Sequence, residues 1–495
     1  MNSESSNLPG GSIGQLMKTA YVNAWTDLTV GGTNGDDDFV LRLDNSGLKP
    51  SVEVVLNGEV QFTNWISTLD SVTINGGFGS DTFTIEGWSP GVDLELNGGW
   101  GNDLVNVLPG ARNIEMVSGM TFNGGLHTDT IYVHDEFNPY SHASLSRIYT
   151  VSDSGVSRFR ANPVQPFNPA FFLPVSIAYS GVESADIRTG GQHDVVNVAS
   201  AVSGVMNVRT GAGNDVVSLG YTLGNLEEFD STYVNGQAGA DTIRVFDHNK
   251  SGGALATAQY DVDGHTVSRY MTNLGGVAIG GPPTTYDVDF SNVENLELTT
   301  TDIADNIRVH ATPVGTATIH GGAGNDRLYA SPNDKNMELV DDLEFNGDAG
   351  LDKLIISDQN NPYGFGLSDD YDVLASRVIR GEAAIFIAGS PANINVDYSS
   401  VEDLTLSTGA QGDTVNVEST PWTRALIQTG DGDDVVNASP TDKNMELVDG
   451  LEVDGGSGSD ELNVFDQNNP YELPGGGKYT ITPEMIKRFE EHVLF

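Results

Sequence analysis

Self-similarity at two scales limits what this chain can fold into. The segment Ser331 to Tyr363 (SPNDKNMELVDDLEFNGDAGLDKLIISDQNNPY) returns downstream as Ser439 to Tyr471. The phrase SxVExLxL around Glu294 returns at Glu402, with a looser copy at Glu183. A Tyr followed by an Arg at one fixed interval occurs at Tyr149/Arg158, Tyr260/Arg269, Tyr371/Arg380 and Tyr479/Arg488. A large unit therefore occurs four times, with a fifth begun. The implied boundaries are a leader and partial repeat over 1–66, four units over 67–178, 179–289, 290–397 and 398–478, and the start of an excursion or tail over 479–495.

Inside each unit lies a shorter phrase: a Gly-rich turn, an Asp, then alternating apolar residues. Its clearest copies are GGFGSDTFTI at Asp81, GGWGNDLVNV at Asp103, GGAGNDRLYA at Asp326 and GGSGSDELNV at Asp460. Aligning weaker copies adds Asp37, Asp129, Asp194, Asp215, Asp241, Asp305, Asp352, Asp413 and Asp434. From Asp81 onward these fall in four triplets, spaced 22 and 26 in the first and 21 and 26 in the other three.

Alternation of apolar and polar residues after each Asp predicts a strand with one buried face. Glycines before it supply positive φ and close backbone approach. Each short repeat, from one Asp to the next, is thus one coil of strands and turns that cannot bury its apolar face alone. Stacking coils closes the core. The predicted fold is all-β, a parallel β-helix or solenoid of such coils with β-excursions. Equivalent aspartates on adjacent coils would form a column with a spacing of ~4.8 Å. Carboxylates that close repel unless a cation lies among them, and Ca²⁺ takes oxygen ligands, including the carbonyls that such turns expose.

GGAGNDRLY and GGWGNDLVN resemble the GGxGxDxUx phrase of the hemolysin-type (RTX) calcium-binding repeats of secreted bacterial proteins, U being a large apolar residue. The motif-bearing region runs from about Asp37 to Val464. The resemblance implies Ca²⁺ as cofactor, held first at Asp81, Asp103, Asp326 and Asp460, then at Asp215 and Asp434. Extending it to every aligned copy adds Asp129, Asp194, Asp241, Asp305, Asp352 and Asp413 as metal ligands. One departure is clear: family nonapeptides run in tandem, whereas here motifs lie 21 to 26 apart. A standard β-roll is therefore not expected. The copies at Asp129, Asp194 and Asp305 are degraded, so their sites are expected to be weaker or vacant.

Two further acid sets keep register. Asp70, Glu183, Glu294 and Glu402 stand at one fixed interval before each triplet, and Asp135, Asp247, Asp358 and Asp466 at another after it. Strand caps and Asx-turns account for both; extra calcium ligands are the sharper alternative. The remaining part of each unit, such as Gln259 to Phe290 or Tyr371 to Tyr398, reads as an excursion leaving the stack and returning. Its in-register Arg is expected to serve as a structural partner for carboxylates or for the Tyr face. A string of immunoglobulin- or cadherin-like β-sandwiches also fits a period of about 110 residues. It does not call for a Gly-x-Asp-strand phrase three times per unit.

Composition narrows the function. Sixty-nine acidic against 23 basic side chains give a net charge of −46, which repels a phosphate backbone and excludes nucleic acid as a partner. With no cysteine, disulfides and Cys-ligated metals are excluded. No apolar run approaches a membrane span. Disorder does not fit a chain with 16 Tyr and 19 Phe. No HExxH, P-loop or dinucleotide fingerprint occurs. GGSIG at Gly10 to Gly14 lacks the strand–turn–helix context of a nucleophile elbow. Trp25, Trp65, Trp88, Trp100 and Trp422 suit stacking on sugar rings, though core packing or strand edges explain them too. The leader shows no signal peptide, and proteins of the resembled family commonly leave through a C-terminal signal. The closing PEMIKRFEEHVLF aligns with an excursion, so the chain is expected to be part of something longer or to continue against another copy.

The expectation is a non-enzymatic, extracellular or cell-surface structural protein, a layer, filament or adhesin component. Calcium would couple to its folding, and self-association and surface glycans are its partners. The rivals are a polysaccharide lyase or hydrolase on a β-helix, and a glycan-binding adhesin.

Overall fold

In the computed structural model, the described residues span 19–489, apart from 24–25, 45–48, 89–90, 118, 138–146, 161–174, 250–255, 274–284, 361–369, 382–392, 469–477 and 483–484. Among them the regular elements are β-strands and short 3₁₀ turns. The GGSIG stretch, Trp25 and the end of the chain beyond Phe489 lie outside the described set.

The chain packs as two compact units, Met1–Leu255 with Asp263–Thr301 and Pro313–Gly315, and Ala256–Val262 with Asp302–Thr312 and Thr316–Phe495. In the first, two long sheets are built by turns. Strand Ser71–Phe78 joins one sheet and Thr82–Ile85 the other; Asp93–Trp100 returns to the first and Leu104–Val107 to the second. Each strand pairs in parallel with its own copy one coil away: Val72 with Leu94, Leu94 with Met120, Phe83 with Val105, and Val105 with Ile131. The second unit repeats this, with Ile307 beside Leu328 and then Leu354 in one sheet, and Val415 beside Val436 and then Leu462 in the other. Parallel pairing between repeat copies is the opposite of tandem sandwiches, whose strands pair antiparallel. It is consistent with the predicted coil-on-coil stacking.

Period-2 patterning decides which side chains enter the core. TFTI, LVNV and TVNV each bury every second residue, so Phe83, Ile85, Val105, Val107, Val415 and Val417 have no solvent exposure. Burying such side chains contributes about 1.5–3 kcal/mol each.

The excursions stay within the sheets. Arg147–Ser152 and Gly155–Arg160 form a hairpin between Val175–Ser180, which pairs antiparallel with it, and Asp194–Val198, which pairs in parallel. In the second unit Asp370–Leu374 and Arg377–Gly381 sit in the same way between Ile394–Ser399 and Thr414–Val417. Lys478–Thr482 and Met485–Phe489 pair as the equivalent hairpin, as the alignment with the excursion at Tyr149 predicts.

Candidate functional site: a ladder of buried carboxylates

Every aspartate of the short repeat occupies the same place in a hydrogen-bonded column. In the first block the backbone N–H of Asp37 donates to Asp81 Oδ1 at 2.9 Å, that of Asp81 to Asp103 Oδ1 at 2.8 Å, and that of Asp103 to Asp129 Oδ1 at 2.7 Å. The next run is Asp194 to Asp215 and Asp215 to Asp241, at 2.7 and 2.8 Å. In the second unit Asp305 donates to Asp326 and Asp326 to Asp352, both at 2.8 Å. Asp413 then donates to Asp434 and Asp434 to Asp460, at 2.8 and 3.2 Å. Parallel register brings these residues together: each precedes or opens a strand that pairs with the next copy. The degraded turn at Asp129 supplies a full rung, its Oδ1 accepting the N–H of Asp103, whereas Asp194 and Asp305 head their runs through their backbone N–H groups.

Three of the four acids that precede the triplets, Glu183, Glu294 and Glu402, close the run of rungs before them, whereas Asp70 bonds through its backbone, to Thr26 and Asp93. Glu183 Oε2 accepts the N–H of Asp129, Glu294 Oε2 that of Asp241, and Glu402 Oε2 that of Asp352, at 2.7–2.8 Å. Here the Asx-turn reading gives way: a longer side chain in the turn just before the next strand reaches a backbone donor that the short repeat leaves over. Their common register with the triplets was the visible signal.

The rungs are buried. Asp81, Asp103, Asp129, Asp194, Asp215, Asp241, Asp305, Asp352, Asp413 and Asp434 expose at most 2%, and Asp326 none, whereas Asp460 is exposed. The second oxygen, Oδ2, of Asp81, Asp103, Asp129, Asp241, Asp326, Asp352 and Asp434 is buried without a hydrogen-bond partner. Except at Asp434, it lies against glycine. A Cβ added to Gly76 would sit 2.1 Å from Asp81 Oδ2 and 2.8 Å from the Gly98 carbonyl oxygen. One added to Gly98 would sit 2.2 Å from Asp103 Oδ2 and 2.6 Å from the Gly124 carbonyl. The first glycine of the motif therefore makes room for a carboxylate oxygen and a carbonyl oxygen from the next coil.

Electrostatics follow from burial. Desolvation raises Asp81 and Asp215 to about 7 and Asp326 to about 8, against the N–H bond from the preceding rung and with help from neighbouring carboxylates. Asp129, Asp241 and Asp352 rise to about 6, and Asp103 also rises, for the same first cause. At neutral pH part of the ladder carries protons.

Calcium can be tested against this geometry. One rung places two oxygens side by side, a carboxylate Oδ2 and a glycine carbonyl, while Ca²⁺ takes six to eight. Among the described residues no group of three or more His, Asp or Glu side chains is arranged to hold a metal. The donor chemistry, carboxylate and carbonyl oxygen, suits a hard cation, with further carbonyl or water oxygens needed to complete a calcium shell.

The third acid set and the recurrent Tyr and Arg form a second constellation. Asp135 Oδ2 accepts from Tyr149 Oη at 2.5 Å and from Arg158 Nη1 at 2.6 Å. Its Oδ1 accepts the N–H of Ile114, which opens a 3₁₀ turn. Asp358 likewise holds Tyr371, Arg380 and the N–H of Met337, and Arg380 also pairs with Glu338 at 2.7 Å. Arg269 pairs with Asp247 at 2.9 Å and Glu227 at 3.2 Å. Arg269 and Arg380 have no exposure and Arg158 has 3%. These arginines are internal brackets that tie the hairpin to the coil beside it. Sequence reasoning found the Tyr–Arg pair and the acid separately; their shared period was the signal that joins them.

Among the tryptophans, Trp88 is buried in the core, with Nε1 donating to the Val92 carbonyl. Trp65, Trp100 and Trp422 are exposed. No helix among the described residues is long and apolar enough to cross a membrane. No protein-family model matches the chain, and comparison with curated proteins finds no match.

Proposed function

We propose that this chain is a non-enzymatic structural repeat protein, a β-solenoid of the extracellular space or cell surface, in which the carboxylate ladder is the spine that sets coil upon coil. The observation that carries this reading is the unbroken run of rungs within each block, each donating its N–H to the carboxylate of the next. Such a site positions backbone: the Oδ1 of each inner rung is occupied by the N–H of the rung before it. A polysaccharide lyase or hydrolase instead needs free acid–base groups converging on the scissile bond.

Calcium stays part of the proposal on the RTX-like motif and on the partnerless Oδ2 atoms. Taking up the ion requires the turns to relax and bring further carbonyl or water oxygens to each rung. In that case calcium binds the folded chain in preference to the unfolded one and raises its stability. Titrating Ca²⁺ into EDTA-treated protein at pH 7.5, with circular dichroism and thermal melting as readouts, is the test. A rise in melting temperature supports calcium as the ladder's cation. A fully folded protein that does not respond to the ion removes calcium and leaves the proton-bearing spine. Loss of the β-signal in variants that remove single exposed turn acids would overturn the structural reading itself.

A further inference from the structure

The outward position three before each rung holds Ala212, Ala238, Ala323, Ala349, Asp431 and Ser457 at the second and third rungs of the later triplets. These pair in parallel as Ala212 with Ala238, Ala323 with Ala349, and Asp431 with Ser457. The fold needs no large side chain there. In the first block the same position carries Phe78, Trp100 and Leu126, in register on adjacent strands. They are 54%, 54% and 53% exposed. Phe78 and Trp100 have ring centroids 5.9 Å apart. Core packing therefore does not account for them.

A second anomaly sits beside the first. Two positions before every other second and third rung stands glycine: Gly101, Gly213, Gly239, Gly324, Gly350, Gly432 and Gly458. At Asp129 that place is taken by His127, with φ at +96°. That conformation is costly for a residue with a Cβ. The exposed imidazole is 6.1 Å from the Trp100 ring, and its Nδ1 is 2.6 Å from the Leu126 carbonyl oxygen.

We infer that Phe78, Trp100, Leu126 and His127 form a binding ridge for a neutral glycan chain. The ridge is one side chain wide and three coils long, roughly 10 Å at ~4.8 Å per strand step. A stable protein partner needs about 800 Å² per side. Half-exposed aromatics burying about 150–250 Å² each when fully covered fall well short of that, so the ridge by itself does not amount to a surface for a second copy or a protein. An extended oligosaccharide fits: each sugar ring offers an apolar C–H face to the rings and hydroxyls to the polar turn groups on either side. Ser80, Asn102 and Asp36 line those turns, their side chains accepting N–H groups of neighbouring turns. The chain's net charge of −46 disfavours an acidic glycan or a nucleic acid strand. The inference rests on the fold alone, so it holds whether or not calcium is bound.

The test uses the full chain on a glycan array, followed by titration with neutral cello-, chito- and laminari-oligosaccharides in calcium and in EDTA. The wild type is expected to bind at least one neutral glycan, and the double variant Phe78→Ala/Trp100→Ala to lose that binding at least tenfold. Its circular dichroism and melting temperature should not change, because other rungs carry alanine at this position. His127→Gly should weaken binding without lowering the melting temperature, since it restores the residue the backbone favours. Three results would overturn the inference: no neutral glycan bound by the wild type, undiminished binding by the double variant, or a wild-type dimer in sedimentation that the double variant abolishes.

Discussion

Asp326 shows what one rung demands. Its Oδ1 must accept a buried N–H from Asp305, and its Oδ2 faces a carbonyl with no donor between them. Asn reproduces the acceptor and supplies an NH₂ toward the carbonyl, so Asp326→Asn is expected to fold with unchanged or higher stability. Asp326→Ala leaves a buried N–H unpaired and should cost about 1–3 kcal/mol, read from urea denaturation. If Asn is as damaging as Ala, the rung is charged and cation-bound rather than protonated. The arginine brackets behave differently, because both partners are ionic. Removing Arg380 strands Asp358 and Glu338, so Arg380→Ala should cost about 3–5 kcal/mol. Both residues belong to periodic sets visible in the sequence. That they meet was not visible, because they lie on different elements, 22 residues apart.

Particular glycines carry particular coils. Gly98 lies where a Cβ would collide with Asp103 Oδ2 and the Gly124 carbonyl. Gly239 has φ at +152°, and a Cβ there would fall 1.5 Å from the Gly213 oxygen. Gly98→Ala and Gly239→Ala should each destabilise their coil by more than the ~1 kcal/mol of an ordinary backbone substitution. Hydrogen exchange should then show faster opening of the strands Leu104–Val107 and Thr242–Phe246, respectively. Exchange as slow as wild type would mean that the turns tolerate a wider path. Strands, turns and their order were legible from the alternation and the Gly–Asp phrase. The placing of each excursion was not: a hairpin's own pattern does not say which sheet edge receives it. The structure inserts it between two parallel strands, where both of its edges find partners.

At the scale of the whole chain, acidity becomes a dependence on pH. The folded-state pKa values of Asp81, Asp129, Asp326 and Asp352, about 6 to 8, lie above the ordinary carboxylate value of 3.8. A group raised on folding contributes stability that is complete below its unfolded pKa and disappears as pH rises through its folded pKa. Without divalent cations the protein should therefore melt several degrees higher at pH 5 than at pH 8.5, with most of the change between pH 6 and 8. Mutual repulsion of surface carboxylates acts in the same direction. Salt should reduce that surface part and leave the buried part. A melting temperature that is flat or rises over this interval would contradict a proton-bearing ladder.

The amino-acid sequence alone determined the all-β class, the coil length, the strands and the column of aspartates, since a strict period forces equivalent residues into equivalent places. Tertiary structure decided which way that column faces and what it bonds to. Orientation depends on the next coil's backbone, which no single repeat contains. Carboxylates such as those of Asp81 and Asp103 turn inward because a neighbouring N–H and the space left by a glycine are there to receive them. For the same reason, the large residues at Phe78 and Trp100 became informative only once the turn was seen to hold them in the open.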